Sequence, residues 1–166
     1  TSLSAVKFRT TQDEFPFEAG DVVDIAAGFE PNEYMGQRRV SILIKNIKLH
    51  NMNEDVLLGS VRKFSSLMSG KRADYSAIVP DRNFIAQVYK FIRTHDRWRY
   101  DNEMLCCRLG LTAENYAKVC FSVEALVELG TVIRDSDGYL TLPETSVKVN
   151  LEDAPVFARA KVLQSV

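Results

Sequence analysis

The side chains best equipped for chemistry in this 166-residue chain are cations and aromatic rings rather than catalytic pairs. Tyr34, Arg38, Arg39, Lys45 and Lys48 fall within one short stretch, and Phe8, Arg9, Phe15, Phe17 and Phe29 precede it. Proteins that hold single-stranded nucleic acid combine cations that follow the phosphates with rings on which bases stack. This composition therefore predicts a binding site for an unpaired strand formed by Tyr34, Arg38, Arg39, Lys45 and Lys48. With Tyr34 in a turn and Arg38 and Arg39 leading the returning strand, ring and guanidinium would share one rim. The competing reading has Tyr34 pinning the turn and the cations merely solvated. Phe8 and Phe29 are expected in the core, because large aromatic side chains are usually buried.

Other chemistries lack their residues. His50 has Glu54 four positions on and His95 has Asp96 beside it, but neither gathers a third ligand, so no metal and no cofactor is expected in this chain. Neither a phosphate-binding glycine loop nor a nucleophile elbow nor a zinc-protease motif occurs. The carboxylate neighbours Asp13/Glu14 and Glu152/Asp153 read as solvated element edges. No catalytic residue is predicted. Cys106, Cys107 and Cys120 are odd in number and lack the spacing of a zinc site, so they are expected as reduced, buried thiols of a cytoplasmic protein.

Composition sets the outer bounds. Apolar residues make up 46% and charged residues 26%, the profile of a globular domain. Lys plus Arg number 21 against 22 Asp plus Glu, a net charge of −1, which excludes a strongly basic nucleic-acid module while leaving room for a local basic face. No apolar run approaches the roughly 20 residues that span a bilayer. The N-terminal residues show no charged region followed by an apolar one, so no signal peptide is expected. The absent initiator Met suits a chain cut from something longer.

These residues need elements to position them. Val23, Ile25, Ala27 and Phe29 alternate at period two, Glu30 to Gly36 gathers turn residues, and Val40, Ile42 and Ile44 alternate against Ser41, Leu43 and Lys45 from Arg38 to Leu49. That is a hairpin, with Ala5-Val6-Lys7-Phe8 as a further, shorter strand. An OB-type barrel needs five strands, and about three are visible before the first helix, so either segments that read as loop complete the barrel or its first strand lies upstream of Thr1.

From about Asn53 the apolar spacing changes to three and four. A helix is predicted over Asp55–Met68, and a second after Pro80 with Asp81 as N-cap. A third runs over Asp101–Leu109 and stops at Gly110, and a fourth over Thr112–Leu129 stops at Gly130. A small hairpin, Thr131–Arg134 and Tyr139–Leu142, turns at Asp135-Ser136-Asp137-Gly138. Three helices and a hairpin follow the order of a winged helix. The chain is therefore expected to be α+β: a partial OB-type barrel with a trailing helix over residues 1–79, then a winged-helix-like domain over 80–166. Charge does not separate the two, with 10 basic and 10 acidic side chains in the first part and 11 and 12 in the second. The recognition-helix segment Thr112-Ala113-Glu114-Asn115-Tyr116-Ala117-Lys118 carries one acid and one base, poor for gripping phosphate. Arg93, Arg97, Trp98, Arg99 and Tyr100 form a better basic and aromatic cluster, although Trp98 is expected to be core by its size.

A family resemblance joins these pieces. Val6-Lys7-Phe8-Arg9-Thr10-Thr11, Glu14-Phe15-Pro16, Gly20-Asp21, Asn32-Glu33-Tyr34-x-Gly36 and Ile42-Leu43-Ile44-Lys45-Asn46-Ile47, in that order, resemble the OB domain of the RecJ single-strand-specific DNA exonucleases. Val88-Tyr89, Glu128-Leu129-Gly130 and Lys148-Val149-Asn150-Leu151 resemble the C-terminal extension of clostridial-type members. The resemblance implies a larger enzyme that degrades single-stranded DNA from its 5′ end in recombination and repair. Its divalent metals would be held by Asp and His residues of upstream domains. No Asp-His-His signature occurs here, so no catalytic or metal residue carries over. The role implied for this chain is to bind and position single-stranded DNA beside those domains, with no membrane involved. The alternative is a protein-interaction or structural module docking a partner such as a single-strand-binding protein.

Overall fold

The computed structural model describes residues 4–34, 36–95, 97–145 and 148–164, and within them the side chains of Asp13, Asn32, Tyr34, Gln37 and Arg39 are not described. The chain is mixed α+β with a small open sheet and divides into two compact units, residues 1–52 and 53–166. The division falls at Met52/Asn53, not near Val79. The helix expected to trail the first unit, α1 (Glu54–Met68), is packed into the second.

In the first unit, β1 (Ala5–Val6), β2 (Val23–Tyr34) and β3 (Gln37–Leu49) form a sheet in the order β1-β3-β2. β2 and β3 pair antiparallel, and β1 runs parallel to β3 with Ala5 opposite Ile42. The hairpin is longer than its turn composition suggests, because Pro31, Asn32 and Glu33 remain in the ladder opposite Val40, Arg39 and Arg38. Gly36, at φ +73°, makes the turn in a conformation that only glycine adopts without strain.

The core lies in the second unit. α2 (Arg82–Thr94), α3 (Asn102–Arg108), α4 (Tyr116–Glu128) and α5 (Pro155–Leu163) join α1, with a short antiparallel hairpin of β4 (Ile133–Arg134) and β5 (Leu140–Thr141) between α4 and α5. Asp81 caps its helix as the sequence predicts, and Asp101, expected as the first residue of α3, caps that helix instead; each accepts a 2.8 Å hydrogen bond, from the backbone N–H of Phe84 and of Met104 respectively. α4 is the central helix, packed against α1, α2, α3 and α5. Its residues Val119 to Val123, Ala125 and Leu126 are all buried, and Phe121 meets Phe157 of α5 edge to face at 4.9 Å. Gly110 and Gly130 end α3 and α4: the N–H groups of Leu111 and Thr131 reach back to the carbonyls of Cys106 and Leu126. α4 begins at Tyr116 rather than Thr112, since Ala113–Asn115 forms a tighter 3-10 turn and Thr112 makes no capping bond with its side chain. No helix among the described residues is long and apolar enough to cross a membrane.

Candidate nucleic-acid interface

Residues opposite each other in an antiparallel ladder share a face, and alternate residues along each strand face opposite ways. β2 and β3 therefore have one apolar face, with Val23, Ile25, Ala27 and Phe29 beside Val40, Ile42, Ile44 and Ile47. The opposite face carries Asp24, Ala26, Gly28 and Glu30 beside Ser41, Asn46 and Lys48. Within the ladder, Ala26 stands opposite Asn46 and Ala27 opposite Ile44, so Lys45 is the extra residue of a bulge. Its side chain lies across Gly28 on the polar face: a β-carbon on Gly28 would stand 3.2 Å from Lys45 Cε.

This arrangement divides the predicted site. Lys45 and Lys48 are exposed and share the polar face. Arg38 belongs to the apolar face, directly opposite Glu33, with 3.8 Å between Nε and Oε2 and both side chains largely in solvent. A single rim holding all five residues is therefore not what the sheet builds. Arg39 and Tyr34 pair through the backbone with Asn32 and Gln37, and their side chains lie outside those described.

The aromatic expectation is reversed. Phe8 is 68% exposed and Phe29 71%, with Val40 at 64% and Ile25 at 47% on the same face as Phe29. Among the described residues of this unit only Leu49 and Met52 are buried. The alternation is real, but nothing described in residues 4–52 covers its apolar side. Phe15 and Phe17 are half-buried and pack on one another edge to face at 5.3 Å.

One polar pair on the lysine face escaped the sequence reading. His50 Nδ1 and Asp24 Oδ1 are 2.8 Å apart, and Asp24 stands opposite Lys48. Counting back from the turn pairs Asp24 with Ile47, and only the bulge at Lys45 shifts the register so that Asp24 meets Lys48. The composition of the stretch alone carries no such signal.

In the second unit Arg97, Trp98 and Tyr100 of the basic and aromatic cluster are engaged in structural contacts, while the Arg93 and Arg99 side chains are exposed. Trp98 is buried, as expected, ringed by Phe91, His95 and Tyr100 at 5.2, 5.4 and 5.3 Å. Arg97 donates to Asp135 Oδ2 through Nε at 3.1 Å and Nη2 at 2.6 Å, touches Asp137 at 3.2 Å, and lies over the Tyr139 ring. Its hydrogen bond to Asp135 raises the Arg97 pKa further above its ordinary value. Burial pushes the Asp135 carboxyl upward, but Arg97 and the backbone N–H groups of Tyr139 and Asp137 outweigh it, and the net pKa is lowered. α4, whose leading segment carries one acid and one base, is mostly buried in the domain.

The three thiols are free, with Cys106 and Cys120 buried and Cys107 half-buried. Burial, reinforced by the neighbouring thiols, pushes Cys106 up to about 12. Among the described residues no group of three or more His, Cys, Asp or Glu side chains could hold a metal ion, so the divalent metals implied by the family resemblance have no ligand set there. Comparison of the chain with protein-family models, curated proteins and solved structures gives no match.

Proposed function

We propose that this chain binds and positions single-stranded DNA for a RecJ-like exonuclease acting in recombination and repair, and that hydrolysis belongs to upstream domains of the same polypeptide. In this reading residues 1–52 are part of an OB-type barrel and the second unit is a winged-helix-like body carrying extra helices. A one-sided sheet supports the barrel: alternating strands with an apolar face left exposed need a cover, which barrel closure supplies. The parallel β1–β3 pair beside an antiparallel hairpin does not follow a simple meander. Three helices followed by a hairpin agree with the winged-helix order. The free thiols agree with a reducing, cytoplasmic setting.

The observation that carries the DNA reading is the polar face holding Lys45 and Lys48 together, both exposed. Two cations on a strand-lined surface attract phosphates and leave base identity unread, so binding should be weak, salt-sensitive and tolerant of sequence. Fluorescence anisotropy with a labelled oligothymidylate tests this. The whole chain should bind at low salt and lose affinity as salt rises, and Lys45→Glu/Lys48→Glu should abolish binding. No binding at low salt, or affinity indifferent to salt, rejects the reading.

A second reading is a protein-docking or bracing module for a partner such as a single-strand-binding protein. The apolar sheet face with Phe29 and Val40 exposed, together with the burial of α4, favours it. Unchanged DNA binding in the double lysine variant would favour it further.

A further inference from the structure

A cavity of about 730 Å³ opens in the second unit beside α2, well within the range of small-ligand sites. One wall is a single face of α2, where Arg82, Ile85, Ala86 and Tyr89 follow at helical spacing. The floor is apolar, with Ile85, Leu126 and Phe157 all buried.

The polar groups around this cavity divide into engaged and unengaged. Asp81 caps α2 by accepting from the Phe84 N–H, Thr131 donates to the Leu126 carbonyl, and Asn150 bonds to Asp153. Glu152 lies 3.5 Å from the Lys161 ammonium. The Arg82 guanidinium and the Tyr89 hydroxyl, by contrast, have no partner among the described residues. Both carboxylates at the mouth thus have hydrogen-bonding partners of their own, while a cation and a hydroxyl donor remain for an occupant. Arg82 also stands in the first turn of α2, where the helix dipole favours negative charge.

We infer that this cavity binds a small amphipathic anion, its apolar body over Ile85, Leu126 and Phe157 and its carboxylate or phosphate head at Arg82. An apolar tail gains from a preformed apolar floor, and an anionic head supplies the acceptor that Arg82 lacks. A cationic amphiphile of the same length would gain the floor and face the guanidinium with like charge. The inference is independent of the DNA reading, because none of these residues belongs to the sheet.

The test uses the whole chain, 15N-labelled, with decanoate as probe and decylammonium as its charge-reversed control. Decanoate should shift the amide signals of Arg82, Ala86, Thr131 and Asn150 saturably, and decylammonium should not. Arg82→Gln should weaken decanoate by about tenfold, the scale of one charge-assisted hydrogen bond. Ala86→Trp, a change at an exposed helix position, should block the cavity while signal dispersion stays native. Equal binding of decylammonium, unchanged affinity in Arg82→Gln, or shifts confined to residues 4–52 would each overturn the inference. So would saturation by a peptide C-terminus without any by decanoate, which would make the cavity a protein-docking site.

Discussion

The Lys45 side chain crosses the β2 strand at Gly28, its ammonium nitrogen 3.7 Å from where a glycine β-carbon would be. The bulge supplies this relationship, because Lys45 is the residue without a partner opposite it and turns onto the polar face over the one β2 position with no side chain. Gly28→Val should displace the ammonium and lower oligonucleotide affinity by less than about tenfold, since at most one phosphate contact is lost. The same change in a Lys45→Gln background should have no further effect on binding. Anisotropy across the four proteins of this cycle isolates the coupling, and an equal loss in both backgrounds would sink it.

Arg38 gives the opposite expectation. It lies on the apolar face against Glu33, separated from Lys45 and Lys48 by the thickness of the sheet. Arg38→Glu should leave strand binding at low salt unchanged. It should also leave thermal stability nearly unchanged, because an exposed ion pair contributes little. A loss matching that of the double lysine variant would show that strand binding uses the other face.

Asp135 ties the β4–β5 hairpin to Arg97 and predicts an acid response. Its folded pKa is lowered, so its contribution is complete above the ordinary carboxylate value of about 3.9 and is lost as pH falls through the lower folded value. Stability monitored through Trp98, whose backbone pairs with Leu140 of β5, should therefore decline below about pH 4. Asp135→Asn should flatten that part of the profile. An identical acid limb in the variant would remove Asp135 as its cause.

The helix ends were legible because their causes are local. Asp81 and Asp101 precede apolar-periodic runs, and Gly110 and Gly130 follow them, so capping chemistry within four residues fixes both ends. The strand faces were legible for the same reason, at period two. That period already sets Arg38 and Arg39 on opposite sides, a consequence that grouping cations by proximity in sequence overlooks. Alternation cannot say whether an apolar face is covered, and so Phe29 was expected in the core. The long pairing of Asp24 with His50 and the packing of α1 into the second unit depend on distant residues and leave no local trace. α5 was missed although Pro155 stands at its first turn, a position where proline favours a helix start.

Two classes of substitution in the second unit should separate local from core contributions. Asp81→Ala and Asp101→Ala each remove one cap and should lower stability by about 1 kcal/mol. Phe121→Ala opens a void against Phe157 in the most buried helix and should lower it by about 3–5 kcal/mol. Denaturant titration of each variant reads the order, and caps that cost as much as Phe121 would contradict α4 as the centre of the core.

The thiols make the last prediction. Burial raises Cys106 to about 12, and it raises Cys120 against the opposing hydrogen bonds of Asn102 and Tyr116. Only the thiolate attacks a disulfide reagent, so at neutral pH both groups are silent unless the unit opens. A thiol-reactive disulfide should therefore modify at most Cys107 rapidly in the native chain and all three cysteines in denaturant. The same shifts set a pH limit. A thiol whose folded pKa is raised contributes its stability below the unfolded value of about 8.5, and that contribution is lost as pH rises above it, because the unfolded chain ionises first. Stability should accordingly fall between about pH 8.5 and 10, and Cys106→Ala should shallow the decline. Rapid native reaction of two thiols, or an alkaline limb unchanged in that variant, would contradict the buried, protonated state of Cys106.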